Sequence, residues 1–325
     1  MSHRFALIAI ATGGSAVIGL VAFFGARAIG ADVLRAYWVI PLTTLLLFFQ
    51  LFLSAVAWRL LVGAGRRPRL GRFFRIRWIR EAVNSMLPVA QLGGNIAGIR
   101  LLMLHGVAGP LAAAGTTLDI TVEAVTQLLF TLAGFGALAL IYPHGGWTAW
   151  VQGGVIAGVL GIGGFIIAQR LGLLRLVEGA AGMLRRRFPN FPVHIVEGLH
   201  GELMRLHGRG LAISAATALH LAAWVLGTIE TWLALHAMGV AVGWREALVI
   251  ESLGQAARSA GFAVPAGLGV QEAGYILVSG LFGIPPGLAI ALSMVKRARE
   301  LIVGLSGLVA WQMAEGRRLL RRRAG

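Results

Sequence analysis

Six apolar runs, each near the roughly 20 residues that cross the hydrocarbon of a bilayer, alternate along this chain with three dense arginine clusters. The runs are Phe5–Phe24, Val39–Ala57, Thr116–Ile141, Trp150–Ala168, Leu211–Leu235 and Leu288–Met313. Lipid offers no water to unpaired N–H and C=O groups, so runs of this length are predicted to be helices that bond their own backbone. The expected class is all-α integral membrane, with about six spanning helices in a single polytopic domain over residues 1–325. Composition agrees: 13% of residues are charged, about half the ~25% of a soluble domain.

The clusters set the expected orientation. Arg59–Arg80 holds eight arginines, Arg170–Arg209 seven and Arg317–Arg323 five. The intervening segments are poor in charge: Gly25–Tyr37 has Arg27, Asp32 and Arg35, and Tyr142–Thr148 has none. Positive charge is retained on the cytoplasmic side, which places both termini and all three clusters inside a bacterial-type inner membrane. Trp38, Trp147, Trp150 and Trp244 then fall near the outer interface, and Trp58, Trp78 and Trp311 near the inner one. The net charge of +16 is therefore an orientation signal that also attracts anionic headgroups. With no soluble basic module, nucleic acid is not an expected partner. The absence of cysteine excludes disulfides, thiolate catalysis and cysteine metal sites. Arg4 followed by Phe5–Phe24 imitates a secretion signal, but the apolar run exceeds the 7–15 residues of such a segment and reads as a retained first span.

Two stretches do not read as simple spans. Ile79–His105 is interrupted by Pro88, Gly93 and Gly94, and Arg245–Phe282 by Pro265, Gly267 and Gly269. Both are expected to be broken re-entrant hairpins, the first entering from the cytoplasm and the second from outside. A polar frame repeats across them. From Pro88, Asn95 lies seven residues on, Gly106 eighteen, Asp119 thirty-one and Glu123 thirty-five; from Pro265 the same steps reach Glu272, Gly283, Lys296 and Glu300. The expectation is an inverted internal repeat, residues 79–141 and 245–313, each a hairpin followed by a charged span, as in secondary transporters. Phe191–His207 reads as an amphipathic helix on the inner surface.

Charge at membrane depth costs about 2.5–3.5 kcal/mol per group, so it must pair or line a wet cavity. Asp119 and Glu123 share a helix face at i, i+4, as do Lys296 and Glu300. Lys296, the only lysine in the chain, occupies the position equivalent to Asp119, and the two are expected to face each other. Two readings stand side by side. Asp119 and Glu123 neutralise Lys296 and Arg297 as a structural clamp, or the cations Arg100, Arg258, Lys296, Arg297 and Arg299 exceed a clamp's needs and receive an anionic or polar headgroup. Glu272, after the second break, either caps its own helix or contributes a hydrogen-bonding or proton-coupling group. Asn95 is its uncharged counterpart. Glu230 and Glu251 read as partners for buried arginines. The candidate substrate-binding residues are thus Asn95, Asp119, Glu123, Arg258, Glu272, Lys296, Arg297 and Glu300. The histidines share no metal-ligand spacing, and Asp119-x-x-x-Glu123 alone is weak evidence of diphosphate–magnesium chemistry. No P-loop, nucleophile elbow or zincin motif occurs, so neither an enzyme nor a cofactor is expected.

Leu87–Arg100 (LPVAQLGGNIAGIR), Pro265–Tyr275 (PAGLGVQEAGY) and the charged helix Lys296–Glu300 together resemble the lysylphosphatidylglycerol synthase/flippase membrane family along essentially the whole chain. The details are most similar to the HpnL-like subgroup associated with hopanoid biosynthesis. Asn95 and Ile120 depart from the acid and arginine common in that family. The resemblance implies a membrane-only member without the soluble lysyl-transferring domain. It implies a flippase or transporter of a polar-headgroup lipid, working by alternating access on anionic or polycyclic membrane lipids. A membrane scaffold for hopanoid or glycolipid enzymes, or a lipid-phosphate transferase, is the alternative.

Overall fold

A computed structural model describes residues 15, 17–63, 67–87, 92–143, 148–171, 198–261, 264 and 267–323, all helix or connection without a strand among them. Twelve helices follow in order. They are α1 (Val17–Phe24), α2 (Ala26–Arg35), α3 (Val39–Val62), α4 (Leu70–Met86), α5 (Leu92–Leu104) and α6 (Gly109–Ile141). Then come α7 (Thr148–Arg170), α8 (Leu199–His207), α9 (Gly210–Ala237), α10 (Trp244–Ala260), α11 (Val270–Gly280) and α12 (Pro286–Arg323).

Among the described residues three helices, α3, α6 and α9, are long and apolar enough to cross a bilayer, or four spans if the bent pair α1–α2 counts as one. The chain is a multi-pass membrane protein. Three expected runs map onto α3, α6 and α9, and Trp150–Ala168 lies within α7. Leu288–Met313 lies within α12, a 38-residue helix whose charged quartet Lys296, Arg297, Arg299 and Glu300 keeps it from reading as a purely apolar span. Most of Phe5–Phe24 lies outside the described residues. The chain turns by 95° between α1 and α2 at Gly25, whose φ of 95° suits a residue without Cβ. Gly25–Tyr37, read as a loop, is thus largely helix. Its hydrophobic side buries Ile29 against Ile284 and Leu288.

Two helices pack together across each expected break. Pro88 and its neighbours lie outside the described residues, but α4 and α5 run antiparallel on either side of them: the Gly94 N–H donates to Asn84 Oδ1 at 2.9 Å and Arg80 Nε donates to Asn95 Oδ1 at 2.6 Å. In the second hairpin a Cβ on Gly254 would meet the Tyr275 ring at 2.5 Å, and one on Gly274 would meet Ala257 at 2.6 Å. Small residues thus let α10 and α11 approach backbone to backbone. Positive-φ glycines, Gly106 at 90° and Gly283 at 70°, lie within the connections that lead into α6 and α12.

The order long–short–short–long occurs twice, as α3–α4–α5–α6 and α9–α10–α11–α12. Contacts pair off accordingly, with α4 packing on α12 and α10 on α6. The leading helices are antiparallel: Arg209, at the start of α9, donates to the carbonyls of Leu60 and Leu61 at the end of α3, while Ala36 and Ile40 cluster with Leu235 and Met238. The two hairpins open at opposite ends. Leu102 and Val107 share a cluster with Val62, whereas the Tyr142 hydroxyl donates to the Leu281 carbonyl at 2.7 Å at the far end.

The expected surface helix Phe191–His207 is corrected in its described part. In α8, Leu199, Leu203 and Leu206 are buried against Leu61, Leu118 and Val122. Its apolar face packs into protein, because the ends of α3 and α6 leave a groove there.

Candidate functional site

Ionisable side chains converge from six helices in the middle of the bundle. On α4, Arg80 lies 2.5 Å from Asp119 of α6 and 3.8 Å from Glu123, and Arg77 lies 3.1 Å from Glu123 and 3.4 Å from Glu81. The Arg80 guanidinium sits 5.0 Å from the Trp58 ring, a cation–π contact that shields its apolar side. His220 of α9 closes this group, with Nε2 3.2 Å from Asp119 Oδ1. A carboxylate can only accept, so Nε2 carries the proton.

A second group surrounds α12. Lys296 Nζ lies 2.8 Å from Glu251 and 3.7 Å from Glu230, and Arg299 pairs with Glu230. Glu251 also accepts from Thr231 at 2.5 Å, Gln255 at 3.0 Å and the Tyr275 hydroxyl at 3.2 Å. Arg297 grips both Glu272 oxygens, at 2.6 and 3.1 Å, and Ser293 donates to Glu272 at 2.8 Å. Arg258 pairs with Glu300 and lies within electrostatic reach of Glu81, which joins the two groups.

These partners correct the expected pairing. Asp119 does not face Lys296. It is held by Arg80 and His220, while Lys296 is held by Glu251 and Glu230, and Glu123 meets Arg77 and Arg80 in place of Arg297. The α4–α5 and α10–α11 hairpins stand between α6 and α12, so α6 finds its counterions on α4 and α9, and α12 finds its own on α9, α10 and α11. The expected surplus of cations is corrected too. Six Lys or Arg side chains (Arg77, Arg80, Arg258, Lys296, Arg297, Arg299) meet seven carboxylates (Glu81, Asp119, Glu123, Glu230, Glu251, Glu272, Glu300). Arg100, counted among those cations, is exposed on α5.

Glu272 caps its own helix, the first of the two roles that the sequence left open. Its Oε2 accepts the Gly269 N–H at 2.8 Å, which ties down the start of α11, while the same carboxylate binds Arg297. Asn95, its counterpart, accepts from Arg80. Glu230 and Glu251 partner buried cations, as their positions suggested. Arg77, Arg80 and Glu81 were not singled out as site residues, because they sit among the orientation-setting arginines. His220 was one scattered histidine. A signal existed for Glu81: the 177-residue step from Pro88 to Pro265 also carries Glu81 onto Arg258.

Accessibility divides the network. Asp119, Glu230, Glu251, Glu272, Lys296 and Arg80 are buried, whereas Glu81 is 35% exposed, Glu123 33%, Arg258 21%, Arg297 14% and Glu300 12%. The deep tier resembles a clamp. The outer tier presents donors and acceptors that an entering polar group can reach. No group of three metal-ligating side chains occurs among the described residues.

Among known proteins, the family described as "Lysylphosphatidylglycerol synthase TM region" matches residues 6–307. No curated protein and no solved structure matches the chain.

Proposed function

From the premise that this chain belongs to the lysylphosphatidylglycerol synthase transmembrane family, we propose that it is a flippase that moves a polar-headgroup lipid across the inner membrane, rather than an enzyme. The observation that carries this reading is the partly exposed outer tier, Glu81, Glu123, Arg258, Arg297 and Glu300, between 12% and 35% accessible. A clamp has no need of groups open to solvent, where their pairing contributes little. Acid and base stand side by side there. The best-fitting headgroup is zwitterionic or rich in hydroxyls, exchanging hydrogen bonds with both kinds of group, and a bare anion fits less well.

The paired helix order, the antiparallel α3 and α9 and the oppositely opening hairpins support an inverted repeat. Such a repeat supports alternating access, with one hairpin rocking against the other's long helix. Acyl or polycyclic tails stay in lipid, so no closed pocket is required. The resemblance to the hopanoid-associated subgroup makes polycyclic lipids the first to assay beside glycerophospholipids.

The test is reconstitution in liposomes with a fluorescent headgroup-modified lipid. Removing Arg258 and Glu300 together, as Arg258→Gln/Glu300→Gln, leaves no orphaned charge and is expected to abolish lipid movement while the protein stays folded. Unchanged movement in this variant removes the outer tier from the mechanism. Loss of movement on chelating divalent metals, with a covalently altered lipid, favours the transferase reading.

A further inference from the structure

A second cationic group lies away from the central network, where α3 ends and α9 begins. Arg59, Arg67 and Arg209 are anchored there by backbone carbonyls. Arg59 Nε donates to Pro68 O at 3.4 Å, and Arg67 NH1 donates to Arg59 O at 3.2 Å and to Gly63 O at 3.0 Å. Arg209 NH1 is shared between Leu60 O at 3.1 Å and Leu61 O at 3.2 Å. Gly63, at φ 89°, lets Arg209 in: a Cβ there would lie 2.5 Å from its NH1.

These backbone carbonyls engage one nitrogen of each guanidinium, and the rest of each five-donor fork meets no acceptor among the described residues. Such bonding does not explain why three cations share this place. The interior cations of the central network each meet a carboxylate, and exposed Arg205 meets Glu202. Arg59, Arg67 and Arg209 meet no carboxylate among the described residues, although they are close enough to repel one another. Partial burial, followed by the fields of Arg59 and Arg209, holds the Arg67 guanidinium below its usual range.

The space beside them suits a ligand. An open cavity of about 650 Å³ is lined by Arg209, alone of the three arginines, with Leu60, Gly210, Leu211, Ala212 and Ala215. One wall is cationic, and the others are small or apolar. Leu211 is 88% exposed, so the cavity continues onto the apolar flank of a spanning helix. The N-terminus of α9 carries no side-chain cap, which leaves its first N–H groups to other acceptors.

We propose that Arg59, Arg67 and Arg209 form a phosphate-binding site at the arginine-rich end of the bundle, separate from the central network. Phosphate is the anion these groups fit: planar guanidinium forks match its oxygens two at a time, and its charge offsets their repulsion. A lipid headgroup would set its phosphate on the arginines and its glycerol and chains along Leu60 and Leu211. Free phosphate would use the arginines alone.

Native mass spectrometry of the purified full chain tests the site against phosphatidylglycerol, diacylglycerol and inorganic phosphate. Wild type is expected to retain phosphatidylglycerol and release diacylglycerol. Arg67→Gln/Arg209→Gln is expected to weaken retention by about tenfold or more, the loss of at least one charge-assisted bond. Arg205→Gln, which removes an exposed arginine paired with Glu202, is expected to leave it unchanged, which separates this site from general surface charge. Should the Arg209 variant fail to fold, Arg59→Gln/Arg67→Gln keeps the Arg209 bonds to Leu60 and Leu61 and still predicts a several-fold loss. Displacement of the lipid by millimolar inorganic phosphate identifies the free ion as a ligand, and resistance identifies the lipid. Equal retention by wild type and either arginine pair variant, or equal retention of diacylglycerol, overturns the proposal.

Discussion

At the scale of single residues, burial separates groups that look alike in the sequence. Asp119 and Glu123 are four apart on one helix, yet Asp119 is fully buried on Arg80 and His220 while Glu123 is one-third exposed. Removing one partner of a buried pair strands the other, at a cost of about 3–5 kcal/mol. Asp119→Ala and Lys296→Ala are each expected to lose that much stability, read as a large drop in melting temperature in detergent. Glu123→Gln is expected to cost under about 1 kcal/mol. If the two acids prove equally tolerant, the division into a deep clamp and an accessible tier fails. Gly63 offers a check on backbone geometry, since Gly63→Ala combines positive φ with a collision with Arg209. A loss of about 1–3 kcal/mol follows.

Among the elements, the hairpins were the most legible part of the chain. Pro88 and Pro265 cannot donate in a helix interior and force the preceding residue out of helical conformation, and glycines follow each. What the sequence left hidden was the partner of each hairpin. Helices that are apolar on nearly all sides carry no stripe to tell a protein-facing side from a lipid-facing one. The packing of α4 on α12 and of α10 on α6 was therefore not readable, nor was the burial of α8. The α10–α11 pair depends on Gly254 and Gly274 for its close approach. Gly254→Val is expected to push Tyr275 off Glu251 and to destabilise by about 1–3 kcal/mol through overpacking. Thermal melting measures the destabilisation. The displacement should appear as increased lipid-side access to a cysteine placed at position 278.

Over the whole molecule, the two four-helix sets account for the ends at which chemistry is displayed. The arginines at positions 59, 67 and 209 gather at one end, and Tyr142 and Leu281 at the other. An inverted repeat predicts that the equivalent turns at Gly106 and Gly283 lie on opposite sides of the membrane. The chain contains no cysteine, so single cysteines at these turns can be labelled without background in oriented vesicles. Gly106→Cys is expected to react only from the cytoplasmic side and Gly283→Cys only from outside. Labelling of both from one side removes the inversion, and alternating access with it.

By itself the sequence determined the solvent this protein folds in, its helical class, the two broken hairpins and the residue types that recur at matching positions. These follow from local quantities: run length, hydropathy, the missing N–H of proline, and counting. Only the tertiary structure decided which charges meet. An i, i+4 pair defines a face but not what that face packs against, and a buried ion takes whichever counterion lies within a few ångströms. The hairpins, folded between α6 and α12, supplied those counterions and so separated Asp119 from Lys296. The same packing left Glu81, Glu123, Arg258 and Glu300 within reach of what enters.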